Sequence, residues 1–244
     1  MEKYLYDDLY KLEKKHWWHI SKRRLIQKLI ENYNKVKNPR ILDVGCGAGK
    51  NMEGLLRYGD VWGLDNSLDA IRFCKKRGLK NLYLGNSEKT HLKSESFDII
   101  TILDVLEHTN DNRTLKEMSR IIKNDGLLIA TVPAFSWLWS EWDEVLHHKR
   151  RYNKKSLIEI LGNNSFKVIR ITYLYSFLVL PVFFIRKIKK RLFYKQQYPS
   201  DFRLNHLLLN SIMDLLSKLE FQISKKIKIP FGTSILVIGK KYDH

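Results

Sequence analysis

Three glycines within five residues, directly after a short apolar run, constrain this chain more than any other feature. The run from Arg40 to Val44 is typical of a buried strand, and it leads into Gly45-Cys46-Gly47-Ala48-Gly49. Residues without a Cβ let the backbone turn tightly and approach a ligand closely. A helix that follows such a loop presents unpaired backbone N–H groups at its first turn. The pattern therefore predicts a strand–loop–helix unit that binds a small ligand.

Strand-like and helix-like segments alternate along the chain. The strand-like runs are rich in aliphatic residues, and they cover 40–44, 61–65, 81–85, 97–103 and 126–132. Five alternations predict an α/β fold with a doubly wound, mostly parallel sheet. Further strands are predicted at 166–174 and 234–239. We expect one structural domain, with helices over 1–38 (one continuous pattern from Glu2 to Tyr33), a core over 39–244 and a helical insertion at about 175–230.

Two common nucleotide-binding motifs do not fit the glycine loop. A dinucleotide-binding loop requires its third glycine at the position of Lys50. A Walker loop requires glycine at the position of Val44, and serine or threonine at the position of Asn51. The loop is therefore expected to bind a nucleotide-like ligand other than a dinucleotide or a nucleoside triphosphate.

The stretch from Asp43 to Gly49 resembles the first motif of class I S-adenosylmethionine-dependent methyltransferases, which have a Rossmann-like fold. In that family an acid at the end of the second strand accepts both ribose hydroxyls, and Asp65 occupies this position. A carboxylate suits a diol because its two oxygens can accept two O–H donors. The stretch from Leu103 to His108 resembles a segment of the ubiquinone and menaquinone biosynthesis methyltransferases. The resemblance covers roughly residues 40–161.

The resemblance implies S-adenosylmethionine as cofactor, S-adenosylhomocysteine as product, and an antiparallel last strand. For Asp65 a role as an N-terminal helix cap is the alternative. The family's N-terminal helices cover the cofactor, so the helices over 1–38 are expected to form a lid, or else to pack on the sheet. The residues expected to contact the cofactor follow the first four strands: Asp43, Gly45, Cys46, Gly47, Gly49, Asp65, Asn66, Asn86, Ser87, Leu103, Asp104, Val105 and His108.

The methyl acceptor is expected to be a hydroxyl group of a small or lipid-linked molecule. Methylation of exocyclic base amines uses an Asn/Asp-Pro-Pro-aromatic motif, whose place is taken here by Leu103-Asp104-Val105-Leu106. Methylation of pyrimidine carbon needs a cysteine nucleophile, and neither Cys46 nor Cys74 is placed for it. A hydroxyl acceptor needs a nearby base, for which histidine is the usual residue.

The segment 133–152, after the fifth strand, concentrates three tryptophans, two histidines and two arginines. Acceptor sites of this fold form at the carboxyl ends of strands. His148 is the first candidate for a base and His147 the second, with Asp143 orienting the imidazole; the acceptor-binding candidates are Trp139, Arg150, Arg151, Tyr152 and Trp18. Alternatively, the tryptophans pack in the core and the basic residues begin a solvated helix. No metal site is expected, since adjacent histidines on a helix do not share a face.

A formal charge of +18 indicates attraction to anions, which include nucleic acid and anionic lipid. Residues 171–185 carry no charge, and a basic run to Lys195 follows. This pattern predicts that the segment 171–195 contacts an anionic membrane surface. Alternatively, the segment covers the acceptor pocket or forms a dimer interface. The presence of only two cysteines and a charged N-terminus favours a cytoplasmic protein. The segment 171–195 would make it peripheral on the membrane. An RNA methyltransferase, for which no RNA-binding module is seen, and a non-catalytic membrane adaptor are the alternative functions.

Overall fold

The computed structural model describes residues 3–184 and 207–242. Its centre is a seven-stranded sheet in the order β3-β2-β1-β4-β5-β7-β6. The strands are β1 Arg40–Val44, β2 Asp60–Asp65, β3 Leu82–Leu84, β4 Phe97–Leu103, β5 Ile122–Pro133, β6 Phe166–Leu174 and β7 Ser234–Lys241. The pairs among β1 to β5 are parallel, whereas β7 runs antiparallel to both β5 and β6. This confirms the predicted doubly wound, mostly parallel sheet with an antiparallel last strand.

Helices cover both faces of the sheet. They are α1 Lys3–Lys15, α2 Trp17–Tyr33, α3 Lys50–Leu55, α4 Leu68–Lys76, α5 Asp111–Ile121, α6 Glu141–Val145, α7 Lys154–Gly162 and α8 Leu207–Ser224. Two apolar clusters, one on each face, bury the aliphatic residues of β1, β4 and β5. The parts of these strands that lie between the two clusters are mostly aliphatic because both of their faces are covered.

The N-terminal helical pattern is broken at one residue, His16. Its backbone is extended (φ −77°, ψ 128°), and its ring nitrogen Nδ1 accepts a hydrogen bond from the Trp18 backbone N–H at 3.3 Å. This side chain therefore caps α2 in the way that a serine or asparagine would. The continuous helix expected from Glu2 to Tyr33 is wrong at this position, because histidine is a rare cap and gives no sequence signal.

The predicted helical insertion is present in part. Residues 179–184 are helical, and α8 follows after residues 185–206, which lie outside the described ranges. The whole basic part of the segment 171–195 lies within that undescribed stretch. Residues 171–174 belong to β6. Within residues 3–184 and 207–242, no helix has the length and apolar character needed to cross a bilayer.

Candidate functional site

The glycine loop between β1 and α3 has a backbone that other residues adopt only under strain. Gly45, Gly47 and Gly49 have φ angles of 68°, 54° and 85°, in the left-handed region. The N–H groups of Gly45 and Cys46 both donate to the carbonyl of Leu64, at 2.7 and 3.1 Å. These contacts fix the loop to the end of β2, where the predicted ribose-binding acid lies.

Asp65 ends β2 and faces this loop. Its Oδ2 accepts the Gly47 N–H at 2.9 Å and its Oδ1 accepts the Ser67 N–H at 3.0 Å. Burial raises the pKa of the Asp65 carboxyl. The cap of α4 is Ser67, whose hydroxyl accepts from the Ala70 N–H, so the alternative role of Asp65 as the helix cap does not apply. Asn66 is exposed beside it.

A second acid, Asp43, lies fully buried in β1 at the start of the loop. The Thr101 hydroxyl donates to Asp43 Oδ1 at 2.6 Å, while Oδ2 has no hydrogen-bond partner in the described part of the chain. Burial raises the pKa of this carboxyl to about 7. An unpartnered carboxylate oxygen beside a glycine cradle suits a ligand that is cationic and donates hydrogen bonds, as the methionine part of S-adenosylmethionine is.

The loop after β3 holds the expected adenine-binding residues in different environments. Asn86 is exposed, and its Oδ1 accepts the Glu88 N–H at 2.8 Å. Ser87 is buried, with its hydroxyl 3.4 Å from that of Thr114. Asn86 thus remains accessible to a ligand, whereas the Ser87 side chain faces the protein.

The stretch from Leu103 to His108, after β4, joins the glycine loop to the segment after β5. A Cβ on Gly45 would lie 2.4 Å from Val105 Cγ2, so the two loops are in direct contact. Three residues further on, the His108 ring packs edge-on against the His148 ring, with centroids 4.7 Å apart. Burial, together with His148, lowers the pKa of His108 to about 4, which keeps this imidazole neutral.

The predicted pair of Asp143 and His148 is formed. His148 Nδ1 lies 2.9 Å from Asp143 Oδ1, and Asp143 is fully buried in the first turn of a short helix, α6. Arg151 donates to both oxygens of the same carboxylate, at 2.8 and 3.0 Å, and Ser140 donates to it through its N–H and hydroxyl. Hydrogen bonds from His148 and Arg151 outweigh burial and hold the Asp143 pKa well below its usual range.

The other candidates after β5 are divided between the interior and the surface. Arg150 pairs with Asp111 at 2.6 Å, and the buried Tyr152 hydroxyl donates to the same carboxylate at 2.9 Å. With Arg151 on Asp143, both predicted anion-binding arginines already contact internal carboxylates. Trp139 is 38% exposed. His147 is exposed on a turn with φ 57°. Of the two adjacent histidines, His148 is therefore the one that contacts Asp143.

Helix α1 lies over the glycine loop. A Cβ on Gly47 would lie 3.3 Å from Leu9 Cδ2, and the nearly buried Arg77 guanidinium donates both to the Tyr10 carbonyl and to Glu13. Burial raises the pKa of Glu13 to about 7. The lid expected of residues 1–38 stays a prediction. Trp18 of α2 lies under the Lys22 ammonium, 3.2 Å from its ring centroid.

Two functional-site residues were not predicted from the sequence. Lys22 is almost fully buried and forms an ion pair with Asp104, which also accepts from the Thr131 hydroxyl at 3.0 Å. Glu107 is fully buried and is not among the predicted site residues. Single charged residues in a helical or loop segment give no pattern that separates buried from solvated positions, whereas the tertiary fold does.

Comparison with known proteins decides the class of this site. Residues 42–130 match the family model described as a methyltransferase domain. Over 112 residues the chain is 34% identical to the ubiquinone biosynthesis O-methyltransferase of Pelagibacter ubique, covering 43% of this chain and 47% of that protein. Residues 42–130 thus form a methyltransferase domain. The expected cofactor, S-adenosylmethionine, is thereby confirmed, together with the resemblance to the ubiquinone biosynthesis group.

Another relative of this methyltransferase domain is uncharacterized protein MJ1252 of Methanocaldococcus jannaschii. It is 36% identical over 128 residues, which cover 52% of this chain and 47% of that protein. The chain thus spans about half the length of these curated relatives.

Solved structures share the fold of the methyltransferase domain. A chain of the complex between the Haloferax volcanii Trm112 methyltransferase activator and a methyltransferase superimposes with a TM-score of 0.64 at 14% identity, covering 98% of both chains. An S-adenosylmethionine-dependent methyltransferase from Archaeoglobus fulgidus gives 0.58 at 17% identity, covering 90% of this chain and 94% of that one. At these identities the likeness concerns the fold alone.

Proposed function

We propose that this protein transfers the methyl group of S-adenosylmethionine to a hydroxyl oxygen of a small or lipid-linked acceptor. One observation carries the proposal: the short segment from Val105 to His108 contacts the glycine loop at one end and the Asp143–His148 pair at the other. A cofactor-binding loop and a buried carboxylate–imidazole pair are therefore held together by four residues of backbone. This juxtaposition suits transfer between a bound cofactor and a hydroxyl.

The protein's residues then have separate tasks. The glycine loop and Asp65 hold the cofactor, which supplies an electrophilic methyl group when bound. Asp143 fixes the His148 ring by hydrogen bonding to Nδ1, so Nε2 is the nitrogen left to accept the proton of an acceptor hydroxyl. Arg151 and Ser140 hold Asp143 in turn, which limits the freedom of the imidazole. Positioning of this kind accounts for most of the work of a methyltransferase, since the cofactor provides the reactive bond.

A lipid-linked acceptor is favoured by the outer face of α8. Five aliphatic residues at three- or four-residue spacing each expose more than half of their surface: Leu208, Ile212, Leu215, Leu219 and Ile223. The opposite face is anchored, with Phe221 buried and Glu220 accepting from the Ser176 N–H at 2.6 Å. Lys225, Lys226 and Lys228 are exposed just after the helix. An apolar stripe next to lysines is the arrangement of helices that lie in anionic membrane surfaces.

The proposed activity is tested by following labelled methyl transfer from S-adenosylmethionine to phenolic small molecules and to total lipid extracts. We expect transfer to an oxygen, identified by mass spectrometry of the product. His148→Gln should lower kcat by about 10²-fold or more, the usual contribution of a positioned base. His91→Asn is the matched control, since His91 is an exposed histidine in the loop before β4. Transfer to nitrogen or carbon, or full activity of His148→Gln, would contradict the proposal.

The membrane part of the proposal has its own test, flotation with vesicles of neutral lipid or of neutral lipid plus phosphatidylserine. Binding to the anionic vesicles alone is expected, and it should be lost when Ile212, Leu215 and Leu219 are all replaced by serine. Ile158→Ser is the control, because Ile158 is 44% exposed on another helix, α7. Flotation of the triple variant to the same extent as the unchanged protein would exclude α8 as the contact.

A further inference from the structure

Arg77 is a buried guanidinium beside the glycine loop that is not among the predicted site residues. It follows α4 directly as the C-cap residue, and only 3% of its side chain is exposed. A buried guanidinium has to find acceptors for its N–H groups, because an unpaired buried charge is costly. The acceptors around Arg77 lie on three different elements, which are the glycine loop, α1 and α3. One side chain therefore joins three parts of the fold around the cofactor loop.

The contact of Arg77 with the glycine loop fixes the direction of a peptide group. Its Nε donates to the Ala48 carbonyl. The neighbouring Gly47 carbonyl accepts from the Cys74 thiol of α4 at 3.4 Å, and the Gly47 N–H donates to Asp65 at 2.9 Å. Because glycine lets the backbone of such a loop approach its ligand closely, a side chain that orients these peptide groups shapes the cofactor site.

The contacts of Arg77 with α1 hold that helix over the same loop. The guanidinium donates to the Tyr10 carbonyl at 3.2 Å and to Glu13 Oε2 at 3.1 Å. It also lies over the Tyr10 ring, 4.2 Å from the centroid. The other oxygen of the buried Glu13 would lie 3.9 Å from a Cβ on Gly47. The carboxylate with which α1 reaches the loop is therefore paired with the guanidinium that orients the loop.

The burial of the ion pair makes these two sets of contacts depend on each other. Arg77 has a second carboxylate nearby, that of Glu53 in α3 at 3.6 Å, but Glu53 is 40% exposed. Separation of a buried pair is strongly unfavourable, because it leaves a buried charge without its partner. Undocking of α1 would remove Glu13 and Tyr10 from the guanidinium, and with them two of the contacts that fix its direction toward the Ala48 carbonyl.

We propose that Arg77 couples the docking of α1 to the binding of S-adenosylmethionine. With α1 docked, Glu13 and Tyr10 fix the guanidinium, which holds the glycine loop in the conformation that receives the cofactor. Bound cofactor stabilises this loop conformation and thereby the docked α1, because coupling between two equilibria is reciprocal. Arg77 is a positioning residue, since it acts through the Ala48 carbonyl. The coupling concerns the cofactor alone and is independent of the acceptor and of transfer to a hydroxyl.

Calorimetric titration with S-adenosylhomocysteine measures the coupling in four proteins: the unchanged chain, Glu13→Gln, Arg77→Met and the double variant. Burial raises the pKa of Glu13 to about 7, so the titrations are made at about pH 8.5, where this carboxylate is ionised. We expect each single variant to weaken binding by at least about 5-fold, the lower end of usual coupling factors. In the Arg77→Met background, Glu13→Gln should weaken binding by less than about 2-fold, because the residue through which it acts is absent.

Arg72→Met is the matched control. Arg72 lies in the same helix, α4, with 70% of its side chain exposed, and it pairs with Asp69 of that helix at 3.1 Å. Its replacement should leave the affinity for S-adenosylhomocysteine unchanged. An equal loss of affinity in Arg72→Met and Arg77→Met would show that the loss comes from a change of charge on α4 and not from the contacts of Arg77.

Hydrogen exchange of the α1 amides gives a second readout, which a purely structural role of Arg77 would not change. Mass spectrometry follows exchange over residues 3–15 with and without saturating S-adenosylhomocysteine. We expect the ligand to slow this exchange by at least about 5-fold in the unchanged protein and in Arg72→Met, but not in Arg77→Met. Thermal unfolding shows whether each variant is folded. Glu13→Gln keeps the size of the side chain and supplies the same comparison if Arg77→Met does not fold.

Three results would overturn the coupling. They are α1 exchange that S-adenosylhomocysteine leaves unchanged in the unchanged protein, additive losses of affinity in the double variant, and full affinity of a folded Arg77→Met protein. The outcome is separate from that of the proposed function, since no acceptor is present in either measurement. Coupled binding in a protein that methylates no oxygen would refute the proposed function and support the coupling.

Discussion

Replacement of Gly45 by alanine tests whether the glycine loop has the tight contact described above. The new Cβ would lie 2.4 Å from Val105 Cγ2, against an optimal carbon–carbon separation of about 3.5–4.0 Å. Val105 cannot turn away easily, because β-branched side chains are stiff at χ1. Overpacking of this kind costs about 1–3 kcal/mol, and the left-handed φ of 68° adds roughly 1–2 kcal/mol for a residue with a Cβ. We expect Gly45→Ala to lower the free energy of unfolding by about 2–5 kcal/mol.

Gly78 provides a control with a similar φ angle and no contact at the position of a Cβ. Its φ is 80°, and a Cβ there would meet nothing within 4 Å. Gly78→Ala should therefore show the backbone cost alone, about 1–2 kcal/mol. Denaturant unfolding measures both values, and calorimetric titration with S-adenosylhomocysteine should show weakened binding for Gly45→Ala alone. Equal loss of stability in the two variants would refute the contact between the loops.

A double variant identifies the contact itself. Val105→Ala removes the Cγ2 atom that the new methyl group would strike, so Gly45→Ala should cost less in that background by about 1–3 kcal/mol. Additive effects of the two substitutions would show that Val105 is not the residue that constrains Gly45.

Two further predictions concern the buried acids. The pKa of Asp43 is raised from 3.8 to about 7, so the folded state binds a proton more tightly than the unfolded state, and the free energy of unfolding falls as pH rises between these values. Relative to Asp43→Asn, the unchanged protein should lose about 4 kcal/mol of this free energy between pH 3 and pH 8. Denaturant unfolding at several pH values measures it, and parallel pH profiles of the two proteins would contradict the prediction. Asp143→Asn leaves the nearly buried Arg151 without its counterion and should lower the free energy of unfolding by about 3–5 kcal/mol at pH 7. Because the Asp143 pKa is depressed, that difference should shrink on acidification below its unfolded value of about 3.9; a loss under 1 kcal/mol at pH 7 would show that the ion pair is not needed.

Most of the sheet could be predicted because its strands carry unusually plain signals. β4 and β6 match the predicted bounds 97–103 and 166–174 residue for residue. β4 is buried on both faces, and five of its seven residues are apolar. The cofactor loop was equally accessible to sequence reasoning, since glycine is the residue that adopts positive φ angles without strain.

The acceptor side of the site was only partly predictable. The concentration of histidine, arginine and tryptophan after β5 directed attention to this segment, and the expected contact of Asp143 with the His148 ring is present. The sequence does not show that Arg151 would be turned inward onto Asp143, or that Glu107 would lose contact with water. Both depend on how the end of β4 packs against the segment after β5, which is a long-range contact without a local pattern.

Titration of the protein with S-adenosylhomocysteine in a calorimeter tests the central claim, a cofactor site built from the glycine loop and the Asp65 carboxylate. The account predicts saturable heat with one ligand per chain for the unchanged protein and for Gly78→Ala. Asp65→Ala, which removes the acceptor facing Gly47 at 2.9 Å, should show none. Absence of heat from the unchanged protein, or full binding by Asp65→Ala, would contradict the account.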